Sequence, residues 1–156
     1  MASKYVDSTA IMQVIGCVYN DASILDKDDT YYITEADFVE DFHKIVFGTL
    51  YKLHENGVNK FTIEAINDFL DNHPKKKAIF DLNRGNDYLN QISTFVTMST
   101  FDYYYKRMKK MTLLRMYDNY GIDVSFLYDP DNILDTKKKE AQEEWLDNVS
   151  LQTIAD

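Results

Sequence analysis

Cysteine is almost missing from this chain. Cys17 stands alone, which excludes an internal disulfide and fits a reducing compartment, with a small core residue beside Gly16 as its simplest role. Histidine is scarce too. His43, His54 and His73 with one cysteine cannot make a tetrahedral zinc set at recognised spacing, so no metal is expected. None of the five glycines begins a G-x-x-x-x-G-K-[ST] loop, which leaves no cradle for nucleotide phosphates. No apolar run approaches the roughly 20 residues that span a bilayer. The opening MASKYVDST lacks a basic region followed by an apolar one, so a soluble, intracellular protein is expected. Basic charge is in deficit: 17 basic against 26 acidic residues give a net charge of -9, which opposes unaided binding to a polyanion.

What is present suits one domain plus an appendage. The 156 residues are 45% apolar, enough for a core without disulfides or metal. Twelve tyrosines, nine phenylalanines and six methionines are contact-prone residues of the kind enriched at interfaces, although the base composition of an AT-rich genome accounts for them as readily.

The periodicity is helical. Ile11, Val14, Ile15, Val18 and Tyr19 form the inner stripe of a first helix after Asp7 and Ser8, ending near Asn20-Asp21. Residues 26 to 36 are a polar connection closing on Thr34 and Asp37, a variant capping box. A second helix is expected over 39 to 56, with Phe42, Ile45, Val46, Leu50 and Leu53 inward and Gly57 ending it. Thr62 caps a third helix, which Pro74 stops, and Lys75, Lys76 and Lys77 read as a solvated run. A further short helix follows Gly85-Asn86, over 87 to 95. From Ser99 one pattern runs unbroken, predicting a helix from 100 to 128, about 40 Å long at 1.5 Å per residue, with a kink or split possible at Gly121. Asp129-Pro130-Asp131 breaks it, and a second arm over 132 to 148 carries Leu134, Ala141, Trp145 and Val149 among charges. The fold class is therefore all-α: a compact helical bundle followed by a protruding antiparallel helical hairpin.

No chemistry-bearing constellation emerges. His43 shares its helix with Phe42 and Phe47 and reads as a hydrogen-bonded packing residue rather than a base or ligand. Acidic pairs such as Asp28-Asp29 and Glu143-Glu144 have no histidine or glycine-rich loop beside them and read as solvated surface. Lys106, Arg107, Lys109, Lys110 and Arg115 interleave with Tyr103, Tyr104, Tyr105 and Met108. That composition suits a nucleic-acid surface, but its spacing suits a packed helix with a charged outer face. The stripe Phe101, Tyr104, Tyr105, Met108 and Met111, with Trp145 from the second arm, is assigned to a subunit interface, because a projecting arm lacks enough of its own domain to cover it.

Asp37 to Gly57, DFVEDFHKIVFGTLYKLHENG, places Asp37, Phe38, His43, Val46, Phe47, Leu53 and Gly57 at the spacing of the N-terminal domain of DnaB-type replicative DNA helicases, which the chain resembles. Gln13-Val14-Ile15-Gly16 resembles that family's first helix, and Tyr104 to Gly121, with Leu113-Leu114-Arg115, resembles the start of its hairpin arm. The resemblance covers roughly residues 8 to 130. Three blocks in order are far more specific than any one. The chain departs from the pattern where Ala10, Ile11 and Met12 replace paired glutamates, where Val58 to Phe61 replace an Asp, and where Thr100 replaces Asn; it looks like a divergent, bacteriophage-type member.

The resemblance implies a non-catalytic collar of a hexameric helicase in DNA replication: a globular subdomain (8–97), a hairpin (99–148) and the start of a linker (149–156) toward an ATPase domain. It implies dimerisation, a trimer of dimers over six motors, docking of primase or a helicase loader, single-stranded DNA met only indirectly, no membrane, and the cytoplasm of a bacterial host. No cofactor is expected here; ATP and Mg belong to the motor. The alternative is a free-standing adaptor, either a loader or the helicase-binding domain of a primase.

Overall fold

The computed structural model describes residues 5–27 and 29–122. Among them there is no strand and there are six α-helices, with short 3-10 turns between the first and second and between the fifth and sixth, so the fold is all-α. Helix α1 (Ser8–Asn20) starts on Asp7, whose carboxylate accepts from the Ala10 N–H at 3.0 Å, satisfying one orphan donor of the first turn. Helix α2 (Asp41–Glu55) buries Phe42, Val46, Phe47, Leu50 and Leu53, the face its periodicity predicted. Helix α3 (Ile63–Asp71) is capped by Thr62. Then come α4 (Pro74–Leu82), α5 (Gly85–Phe95) and α6 (Phe101–Asn119).

Two expectations about boundaries change. Pro74 ends α3 but also begins α4 at its first position, where its missing N–H costs nothing and its fixed φ suits the helix. The lysine run is therefore the first turn of a helix, and Lys75 and Lys76 are solvated there as expected. Helix α6 stops at Asn119 rather than running unbroken to 128, and the break falls at Gly121, the position at which the sequence allows one. Gly121 takes φ 81°, and the amides of Gly121 and Ile122 bond back to the carbonyls of Asp118 and Tyr117, the two bonds of a Schellman closure. Gly57 closes α2 the same way at φ 98°, with Gly57 and Val58 bonding to His54 and Leu53. The expected second arm over 132 to 148, the linker 149–156 and Trp145 lie outside the described residues.

Helix α1 packs chiefly against α6 and α5, while α2 packs against α3 and α4. At Gly16 a Cβ would run into the Val96 side chain and the Ile92 carbonyl, so glycine sets how closely α1 and α5 approach. A single buried cluster runs from Ala10 to Met108. It therefore includes the first half of α6, on both sides of the 97/99 position.

Candidate interaction surface

Asp37 occupies the one-turn 3-10 segment Glu35–Asp37 and is wholly buried. A buried carboxylate must be paired and hydrogen-bonded to be tolerated, and here it is. The Thr34 N–H donates to Oδ2 at 2.9 Å, Lys109 Nζ lies 2.7 Å from the same oxygen, and Thr112 Oγ1 donates to Oδ1 at 2.7 Å. One helical turn further, Arg115 donates to the carbonyls of Tyr5 at 2.6 Å and Ala36 at 2.8 Å. Burial pushes the Arg115 pKa below its ordinary value, and the nearby Asp37 charge opposes that. Asp37 and Arg115, residues of two separate sequence blocks, thus meet in one network pinning the 34–37 turn to α6. Lys109, expected on a charged outer face, instead turns to the buried Asp37, and Thr112 is missed from sequence; their signal is that 109, 112 and 115 fall on one face of a helix.

The other signature residues also serve packing. Phe38 and Phe47 are buried with ring centroids 5.3 Å apart. His43 packs near Tyr88, centroids 6.0 Å apart. It is not hydrogen-bonded as expected: the buried Nδ1 has no hydrogen-bond partner and lies 3.5 Å from a Glu40 carboxylate oxygen. Burial lowers the His43 pKa, and Glu40 works against that shift. Gln13 accepts from the Thr97 N–H at 3.3 Å, tying the first block to the α5–α6 connection.

The stripe assigned to a subunit interface faces inward. Phe101 and Met108 belong to the chain's own core, and Met111 is buried as well. Tyr104 and Tyr105 are half-buried against that core. The expectation that this ridge stays incomplete until a second copy covers it is therefore corrected for these residues. The physical reason is that α1, which shares the buried cluster with Phe101 and Met108, covers α6, and the connection from 29 to 37 folds over its start. Tyr31 packs edge-on against Phe101 and Tyr105, centroids 4.8 and 4.9 Å away, and donates to Asp102 at 3.0 Å. The Tyr105 hydroxyl accepts from the Tyr32 N–H at 2.9 Å and bonds its carbonyl at 3.3 Å.

The basic residues of α6 are engaged likewise. Lys106 pairs with Asp102 at 3.0 Å and Arg107 with Asp7 at 3.3 Å; Lys109 and Arg115 belong to the Asp37 network, and Lys110 has an interaction of its own. Asp7 thus caps α1 with one oxygen and holds α6 with the other. Large apolar side chains remain exposed at both ends of α6: Phe95, Met98 and Tyr103 near its start, Tyr120 and Ile122 at its finish.

Among the described residues no group of three or more His, Cys, Asp or Glu could hold a metal, and no helix is long and apolar enough to cross a membrane.

A family model, the DnaB-like helicase N terminal domain, matches residues 6–110. The SPbeta prophage-derived uncharacterized protein YorI of Bacillus subtilis (strain 168) is 34% identical over 148 residues, which is 95% of this chain and 29% of that relative. The chain thus spans less than a third of the relative's length, and the relative's prophage origin agrees with the divergent, phage-type membership expected from the signature. No solved structure matches. With its residues 6–110 matched by that model, the chain belongs to the DnaB-like helicase N-terminal domain family.

Proposed function

We propose that this chain is the non-catalytic collar of a hexameric replicative DNA helicase, which assembles subunits into a ring and receives a primase or loader. The observation that carries the reading is the match of residues 6–110 to the helicase N-terminal domain. It is supported by what the signature residues do. Asp37, Phe38, His43, Phe47 and Gly57 are taken up by packing and helix closure, so the chain's contribution is a shaped body rather than a reacting group.

Assembly uses surfaces other than the inward stripe. The apolar side chains exposed at the two ends of α6 are the best remaining anchors, since large apolar and aromatic residues carry most interface energy. Single-stranded DNA is met indirectly, because the cations of α6 are engaged within the chain. ATP and Mg act only in a motor domain joined to such a collar, in the cytoplasm of a bacterial host.

The test is native mass spectrometry of the chain at about 20 µM, a concentration that populates micromolar interfaces, beside an ATPase assay. Dimers or multiples of dimers with no ATP turnover are expected. A strictly monomeric chain, or one that hydrolyses ATP, contradicts the reading.

A further inference from the structure

The connection that covers α6 also forms one wall of a groove of about 390 Å³, whose other wall is the outer face of α2. Its lining includes the apolar side chains of Ile45 and Phe69, and Lys44, Lys52 and Lys76 contribute three positive charges against the single carboxylate of Glu35. Lys52 lies 3.7 Å from Glu55, while Lys44 and Lys76 make no ion pair with a described residue. Such a concentration of positive charge is unexpected in a chain whose net charge is -9.

Gly48 lies in this lining, within α2 and seven residues from its start. A helix-interior glycine costs about 1 kcal/mol against alanine, and nothing among the described residues requires it here. A Cβ at 48 meets no atom within 4 Å, and the residue has no positive φ. A glycine that neither its own backbone nor its own neighbours need leaves the helix bare on the groove side, as close approach by an external group requires.

We propose that this groove docks an acidic amphipathic helix of a partner protein, with its apolar side chains over Gly48 and its carboxylates toward Lys44, Lys52 and Lys76. This rests on the docking role proposed above and names the partner's chemistry. A groove of this volume takes a few large side chains, and charge complementarity selects the acidic flank. Strand addition fits less well, because the Tyr32 N–H and carbonyl at the groove wall are already bonded to Tyr105. A two-fold pairing of grooves from two copies would bring the same three lysines face to face.

The probe is a fluorescein-labelled 18-residue amphipathic peptide with Leu and Trp on one face and Glu on its flanks, compared by anisotropy with an isomer carrying Lys for Glu. The full chain is expected to bind the acidic peptide at least about tenfold tighter, less so as salt rises. Gly48→Phe, which fills the groove from a position with open space, is expected to weaken binding about tenfold or more while the urea midpoint stays or rises. K44E/K76E is expected to reverse the preference between the two peptides.

No saturable binding of the acidic peptide, equal affinity for both peptides, or full binding by a folded Gly48→Phe overturns the proposal. So does self-association of the wild type that Gly48→Phe abolishes, which would seat a second copy in the groove. A monomeric wild type that still binds the acidic peptide would remove the collar reading and leave the groove standing; an oligomer that ignores the peptide would do the reverse.

Discussion

Lys109 Nζ lies 2.7 Å from an Asp37 carboxylate oxygen, although 72 positions separate the two in sequence. The carboxylate has no exposure and the lysine side chain is 14% exposed, so the pair sits where water screens it little. It joins the turn that opens the family signature to the helix that closes it. Removing one partner leaves an uncompensated charge: Asp37→Ala is expected to cost about 3–5 kcal/mol in urea unfolding. Asp37→Leu combined with Lys109→Met should recover much of that, since apolar replacement of both partners is often close to neutral. A loss below 1 kcal/mol for Asp37→Ala would remove the network from the account.

Two glycines, one inside α2 and one just past its end, separate conformation from space. A Cβ at Gly48 or Gly57 would meet no atom of the described residues within 4 Å, yet of the two only Gly57 has positive φ, at 98°. Gly57→Ala should therefore destabilise by about 1 kcal/mol, and Gly48→Ala should stabilise by about 0.5–1 kcal/mol. Equal signs in thermal melts would contradict the assignment.

Two histidines of α2 should titrate in opposite directions from their ordinary value. His54 Nε2 lies 2.8 Å from Asp26 and Nδ1 lies 3.1 Å from the Val58 carbonyl. Both partners accept, so both bonds exist together only in the imidazolium, and the bond to Asp26 is the main cause of a raised pKa. That stabilisation is complete below the unfolded value of about 6.5 and is lost as pH rises through the higher folded value. His43 is the reverse. Burial lowers its pKa, so its contribution is complete above about 6.5 and is lost as pH falls through the lower folded value. Proton NMR should show His54 titrating above and His43 below that midpoint, and Asp26→Asn should bring down His54 alone. Coincident titrations would contradict the geometry.

Close approach at Gly16 gives a further test. Because a Cβ there meets Val96 and the Ile92 carbonyl, Gly16→Val should separate α1 from α5 and cost about 1–3 kcal/mol by overpacking. Val96→Ala, which removes one of the two obstacles, should soften the loss. An unchanged urea midpoint for Gly16→Val would mean that the helices are not in this contact.

Much of the helical framework could be read from the chain, because α1, α2, α3 and α5 each carry a regular apolar face. Helix α4 could not, since its sole buried residue is Phe80 and Pro74 looks like a stop as much as a start. The pattern reads past the end of α6 because a glycine inside a helix costs only about 1 kcal/mol, whereas Gly121 closes the helix. The Phe101–Met111 stripe was recognised as apolar, but periodicity identifies a buried face without naming what buries it. Tyr31 and Tyr32, in the non-helical connection over α6, carried no periodic signal. The groove is illegible for a related reason: its lining comes from residues between Leu25 and Lys76 in separate elements.

Exposed aromatic side chains, rather than the inward stripe, are predicted to hold subunits together. Sedimentation equilibrium of the wild type and of Tyr103→Asp, which is 61% exposed in the wild type, tests this most directly at about 20 µM, where micromolar association is visible. An associated wild type is expected, with a Tyr103→Asp chain shifted toward monomer at an unchanged urea midpoint. A wild type that sediments as a monomer across that range would contradict it.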